Sequence, residues 1–108
     1  MRVLVTGATG GLGQNLVSRL LVEGFEVTTT GRNTEIGSRL SSLGTKFIKG
    51  DLENSKDMVS ACMGQDYVFH SGGFSSPWGT WQQFEGSNVM GTLNVAQACK
   101  AGGVKRLI

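Results

Sequence analysis

The stretch "VTGATGGLGQNL", Val5–Leu16, carries glycines at Gly7, Gly10 and Gly13, a spacing of G-x-x-G-x-x-G. Glycine surrenders the most backbone freedom on folding, so its use beside regular structure demands a reason. Before it, Arg2–Thr6 reads as a short buried strand, apolar and β-branched. After it, from Leu12, the apolar residues switch to helical spacing, Leu16 with Leu20 and Val17 with Leu21. A strand, a glycine-rich turn and a helix together make the place where a doubly wound sheet binds a dinucleotide. In that reading Gly7 permits the tight turn off the strand, Gly10 lets backbone approach a pyrophosphate, and Gly13 lets the helix pack closely on the sheet. The helix start then offers unpaired N–H groups and a partial positive charge to the phosphates. The competing phosphate cradle, a P-loop, needs Gly-Lys-Ser/Thr, whereas Gly13 is followed by Gln14, which argues against ATP or GTP hydrolysis.

Outward from this turn the chain alternates strand and helix. Gly24 closes the first helix, and "FEVTTT" (25–30) is a second strand ending at Gly31. Ile36, Leu40 and Leu43 keep helical spacing up to Gly44, and "KFIKG" (46–50) is a third strand. Asn54 or Ser55 caps a helix carrying Val59, Cys62 and Met63, with Asp57 in its first turn and Gly64 at its end. "DYVFH" (66–70) is a fourth strand. A loop from Ser71 to about Gly79 leads into a long helix through Phe84, Leu93, Ala96 and Cys99, stopped by Gly102-Gly103. "VKRLI" (104–108) opens a fifth strand. This rhythm implies crossover connections and a parallel sheet. Right-handed crossovers then predict an α/β, doubly wound sheet of the Rossmann type, with strand order 3-2-1-4-5 and ligand contacts at the carboxyl ends of the strands.

Composition excludes several function classes. The 108 residues are 39% hydrophobic and 17% charged, which is not a disordered composition. The 17 glycines have no G-X-Y period, which excludes collagen. Net charge is +2 with the ten basic residues dispersed, so no nucleic-acid partner is expected. Cys62 and Cys99 lie far apart in apolar patterns, which predicts reduced, buried cysteines and no metal site. No signal peptide and no bilayer-spanning run is visible, so a cytoplasmic protein without membrane attachment is expected.

The end of the second strand decides the cofactor. An acidic residue there would accept the ribose hydroxyls of NAD; this chain has Gly31 followed by Arg32. Glycine leaves room and arginine can take a 2′-phosphate, so NADP is expected, with NAD the second choice.

"VLVTGATGGLGQNLVSRLL", "GDLEN" after the third strand, "DYVFHSGG" at the fourth and "NVMGTLNVAQACKAGGVKRLI" resemble, in matching order, the extended short-chain dehydrogenases/reductases of the NAD-dependent epimerase/dehydratase superfamily. With "SSPWGT", the ensemble is most similar to the 3β-hydroxysteroid dehydrogenase branch, which includes reductases of long 2-alkyl-3-oxo acids. The resemblance implies that Asp51 binds the adenine amino group, Leu52 lines the adenine pocket, and Ser71 and Gly72 contact the nicotinamide-side ribose and phosphates. The expected cofactor-binding set is therefore Gly7, Thr9, Gly10, Gly11, Leu12, Gly13, Arg32, Asp51, Leu52, Ser71 and Gly72. His70, at the end of an apolar strand, is read as structural rather than as an acid or base. Trp78 and Trp81, in the loop with Pro77, are either a wall of an apolar substrate pocket or anchors for the following helix. Asn88 either hydrogen-bonds backbone near the active site or faces solvent.

The family's chemistry uses a Tyr-x-x-x-Lys pair, in which the lysine lowers the tyrosine pKa and the tyrosine exchanges a proton as hydride moves. The only tyrosine, Tyr67, is followed four places on by Ser71, so these residues contain no such pair and no catalytic residue is assigned. The chain is expected to be the N-terminal part of a longer NAD(P)-dependent oxidoreductase. Its expected partners are a dinucleotide, a small-molecule hydroxyl or ketone substrate such as a 3-hydroxysteroid or 3-oxo acid, and a second copy in a homodimer. The alternatives are a non-catalytic NAD(P)-binding or redox-sensing protein, or a sugar-nucleotide epimerase/dehydratase of the same superfamily.

Overall fold

The computed structural model describes residues 1–71 and 81–108, apart from the side chains at 83–85 and 87. In chain order the elements are β1 (Arg2–Thr6), α1 (Gly11–Val22), β2 (Glu26–Gly31), α2 (Thr34–Ser42), β3 (Lys46–Lys49), α3 (Ser55–Cys62), β4 (Tyr67–His70), α4 (Trp81–Phe84), a π-helical segment (Glu85–Met90), α5 (Gly91–Gly102) and β5 (Arg106–Leu107). The strands form one five-stranded sheet in the order β3-β2-β1-β4-β5. All four pairings are parallel, as the alternation of strand and helix predicts.

β1 is central and reads as a continuous apolar run because both of its faces are covered. Val3, Leu4, Val5 and Thr6 have no exposed surface. The side-chain alternation of a strand sends Val3 and Val5 one way and Leu4 the other. Val3 and Val5 pack with Ala8, Val17, Leu20, Val27 and Leu40 beneath α1 and α2. Leu4 packs with Met58, Ala61, Cys62, Val68, Val95, Ala98 and Cys99 beneath α3 and α5. Both cysteines are free and buried, with their sulfurs 4.0 Å apart. Burial, then the neighbouring Cys99 thiol, pushes the Cys62 thiol up to about 12, so it stays protonated.

The helix starts follow their caps. Asn33 accepts from the Ile36 N–H, and Asn54 accepts from the Lys56 and Asp57 N–H groups, so of the two expected candidates, Asn54 and Ser55, the cap is Asn54. Two expected helix faces are rotated. In α3 the buried residues are Met58, Ala61 and Cys62, while Val59 and Met63 are exposed. In α5 Asn94, Val95, Ala98 and Cys99 are buried, while Leu93 and Ala96 are exposed. The expected single helix over this region is interrupted by the π-helical segment, which resets its phase.

β5 is the sheet edge, continued by bonds from the Ile108 N–H to the Val68 carbonyl and from the His70 N–H to the Ile108 carbonyl. Beside it, on the α1 face, an open recess of about 420 Å³ is lined by Phe25, Tyr67, Phe69, Lys105, Arg106 and Ile108.

Candidate functional site

β1 lies where the strand order reverses, with β2 on one side and β4 on the other. At such a switch point the connections leave the strand ends in opposite directions and open a crevice. The glycine turn sits at the carboxyl end of β1, as expected. Gly7 has φ +64°, a left-handed conformation that glycine adopts without a Cβ penalty. Its carbonyl accepts the Gly10 N–H at 3.1 Å, and the Gly10 carbonyl accepts the Gln14 N–H at 2.9 Å. A Cβ at Gly13 would overlap the Gly7 carbonyl oxygen and lie 2.7 Å from the Ala8 Cα, so α1 approaches the turn as closely as backbone allows. A Cβ at Gly10 would make only an ordinary contact, 3.5 Å from the Gly7 oxygen, and one at Gly11 would meet nothing within 4 Å. Packing therefore requires glycine at 13, whereas the surface at 10 and 11 is open to an approaching group.

The N-terminus of α1 is uncapped by any side chain, and its first turn has no acidic residue. Leu12 is 74% exposed in that turn, which leaves the helix start accessible. Gln14 does not cap the helix; its amide donates to the Thr9 carbonyl at 2.9 Å and pins the turn from behind. A helix start with free N–H groups and no competing carboxylate favours an anion.

The end of β2 flanks this turn, with the Ala8 N–H on the Thr30 carbonyl. Gly31 faces the Thr9 side chain, and Arg32 follows, exposed and without an ion pair among the described residues. After β3, Asp51 and Leu52 are half-buried. One Asp51 carboxylate oxygen accepts the Glu53 N–H at 2.9 Å, and the Asp51 N–H donates to the Asp57 carboxylate at 3.0 Å. Asp51 thus shapes its own turn.

At the end of β4, the Ser71 hydroxyl donates to the Thr6 carbonyl at 2.6 Å and holds β4 to β1 across the switch point. His70 does the same one residue earlier. Its Nδ1 is 2.7 Å from the Thr6 hydroxyl and its Nε2 is 3.0 Å from the Thr92 hydroxyl of α5. Burial lowers its pKa, which favours the neutral imidazole in the folded state. With both nitrogens engaged, His70 ties β4 to β1 and to α5. Gly72, Pro77 and Trp78 lie outside the described residues. Trp81 is 72% exposed and so does not anchor the helix in the core. Asn88 lies in the π-helical segment with an exposed side chain.

The sequence reading passed over Asn94. It is buried, and its amide donates to the Leu52 carbonyl at 2.8 Å. One turn earlier Gly91 lies over the Leu52 side chain, where a Cβ would come within 2.9 Å of the Leu52 Cβ. α5 thereby fixes the Asp51-Leu52 loop. The available signal was that Asn94 shares a helical face with Val95, Ala98 and Cys99.

The profile of the NAD dependent epimerase/dehydratase family matches residues 3–108. A 2-alkyl-3-oxoalkanoate reductase of Stenotrophomonas maltophilia is 38% identical over 108 residues, covering 100% of this chain and 32% of its own. A 3-beta-hydroxysteroid dehydrogenase of Mycolicibacterium neoaurum is 35% identical over 114 residues, covering 99% of this chain and 31% of its own. A solved short-chain dehydrogenase/reductase superfamily protein from Agrobacterium tumefaciens with bound NAD superposes with a TM-score of 0.83 at 30% identity, covering 99% of this chain and 31% of that one. The chain thus spans about a third of the length of these relatives.

Proposed function

The chain belongs to the NAD-dependent epimerase/dehydratase family, and from that premise we propose that it is the cofactor-binding N-terminal part of an NADP(H)-dependent oxidoreductase acting on a hydroxyl or ketone substrate. The observation that carries the reading is the uncapped start of α1, brought against the end of β1 by the Gly7–Gly13 contact at the switch point. The open surface at Gly10 and Gly11 leaves room for a pyrophosphate, which the uncapped start of α1 would bind through its first N–H groups. Arg32 takes the 2′-phosphate. Asp51 holds the adenine amino group and Leu52 its ring, while Ser71 and Gly72 meet the nicotinamide half. When bound, the cofactor supplies or accepts the hydride; the residues of this chain orient it. A Tyr-x-x-x-Lys proton-transfer pair and the substrate pocket belong, in this reading, to polypeptide outside these 108 residues.

The reductase and dehydrogenase relatives favour a 3-oxo acid or 3-hydroxysteroid as the substrate class. The family's own description favours a second reading, an epimerase or dehydratase using the same cofactor turn. The reading extends to a cytoplasmic homodimer, with the buried free thiols fitting a reducing compartment. Titration of the full-length protein with NADPH and NADH tests the cofactor, and turnover on a panel of 3-oxo acids, ketosteroids and nucleotide sugars tests the reaction. Tighter binding of NADPH with ketone reduction is expected. Equal affinity for the two cofactors refutes the Arg32 assignment, and turnover on nucleotide sugars alone selects the second reading.

A further inference from the structure

We propose that Thr9 and Gly31 act as one unit that sets cofactor choice, the Thr9 side chain filling the space in which any side chain at position 31 would begin. This rests on reading the glycine turn as a dinucleotide site. Gly31 ends β2, beside the turn, and its backbone is not left-handed; the positive-φ glycines among the described residues are Gly7, Gly24, Gly44, Gly64 and Gly103. Backbone conformation therefore admits any residue at 31, and what forbids one is room. A Cβ there would lie 2.9 Å from both Cγ2 and Oγ1 of Thr9, but 3.5 Å from the Thr9 Cβ. The first two distances are well inside the ~3.5–4.0 Å optimum for nonbonded carbon contacts. The third is an ordinary contact, so the obstruction lies in the two branches of the threonine and not in the turn itself.

A β-branched side chain has few χ1 choices, and here both heavy branches flank the missing Cβ. Nor can the Thr9 backbone withdraw freely. Its carbonyl holds the Gln14 amide, and the residues on either side are bonded through Ala8 N–H to Thr30 and Gly10 N–H to Gly7. Pushing Thr9 aside moves the turn that would cradle the phosphates. A carboxylate reading the ribose diol from position 31 is thus excluded by Thr9, and the reading of the ribose passes to the next residue, Arg32, whose charge suits a 2′-phosphate.

The test is a double-mutant cycle in the full-length protein. Without cofactor, Gly31→Ala is expected to lower the melting temperature by roughly 3–10 °C, the scale of overpacking. In the Thr9→Ala background the same change is expected to cost little. In titrations, Gly31→Asp alone weakens both NADPH and NADH. Thr9→Ala/Gly31→Asp, compared with Thr9→Ala, shifts the affinity ratio toward NADH by about tenfold or more, the scale of a hydrogen bond to a charged group. The alanine pair gives a second reading that needs no carboxylate: Gly31→Ala weakens NADPH binding and Thr9→Ala restores it. Additive melting shifts, or no restoration by Thr9→Ala, overturn the coupling. Coupled melting shifts with an unchanged NADPH-to-NADH ratio overturn the role in cofactor choice. The wild-type titration judges the NADP reading separately, because the cycle measures a change in the ratio whichever cofactor the wild type prefers.

Discussion

Gly13 and Gly10 look alike in the sequence and differ in what they answer to. At Gly13 the protein's own backbone fills the space, so Gly13→Ala is predicted to destabilise the fold by about 1–3 kcal/mol and to open the turn. Denaturant titration checks the first effect and cofactor titration the second. At Gly10 nothing internal demands glycine, so Gly10→Ala is predicted to leave stability within about 0.5 kcal/mol of the wild type while weakening the cofactor. Arg32→Ala is predicted to cost NADPH about 1.5–3 kcal/mol of binding and NADH almost nothing. The glycine spacing was legible because it is a local pattern with a mechanical cause. The role of Thr9 was not, because it depends on a contact between residues 22 positions apart that only the folded sheet brings together. His70 makes a prediction about pH. Its folded pKa lies below the ordinary 6.5, so the unfolded state binds the proton more readily. Stability is full above about 6.5 and falls as pH drops through that value toward the lower folded pKa. The urea midpoint of the wild type is expected to fall between pH 7.5 and 5.5 more steeply than that of His70→Gln, and equal slopes would remove His70 from the account.

The order and type of the elements follow from periodicity and punctuation, which is why the alternation, the sheet order and a cap at Asn54 or Ser55 could be read in advance. The faces of α3 and α5 could not. Met58, Ala61 and Cys62 hold the buried face of α3 in place of Val59 and Met63, and α3 lies so close to α5 that a Cβ on Gly102 would sit 3.1 Å from the Cys62 carbonyl oxygen. The π-helical segment has no residue signature; it inserts a phase shift between α4 and α5 that brings Gly91 and Asn94, rather than Leu93, over the Leu52 loop. Asn94→Leu is predicted to leave the Leu52 carbonyl without its donor, costing about 1–3 kcal/mol of stability. The same change is expected to weaken binding of 2′-phospho-AMP, an adenine-side fragment, more than that of nicotinamide mononucleotide. Equal weakening of both fragments would mean that α5 supports the fold at large and not the adenine side.

Across the whole molecule, the two faces of the sheet are unequally covered. Near β5 the α1 face leaves Phe25, Tyr67, Phe69 and Ile108 around an open recess, and Leu107 and Ile108 are exposed at 37% and 58%. An apolar face beside an edge strand is a template for association. Residues 1–108 produced alone are predicted to self-associate at tens of micromolar, and a monomer by sedimentation would refute this. They are also predicted to show no reductase turnover, because positioned acid–base groups, typically worth about 10²–10⁴-fold, are not among them. The central place of β1 carries one more consequence, for the order in which the chain acquires its structure. β1 precedes both of its neighbours in the chain, but at very different separations: Arg2 meets Glu26 across 24 positions, whereas Thr6 meets His70 across 64. Closing the shorter loop costs less chain entropy, so the β1–α1–β2 unit condenses first, with one edge bare until β4 docks. In φ-value terms, Val27→Ala should slow folding, while Val68→Ala should chiefly speed unfolding. The central strand is thus built on from one side first and closed from the other later.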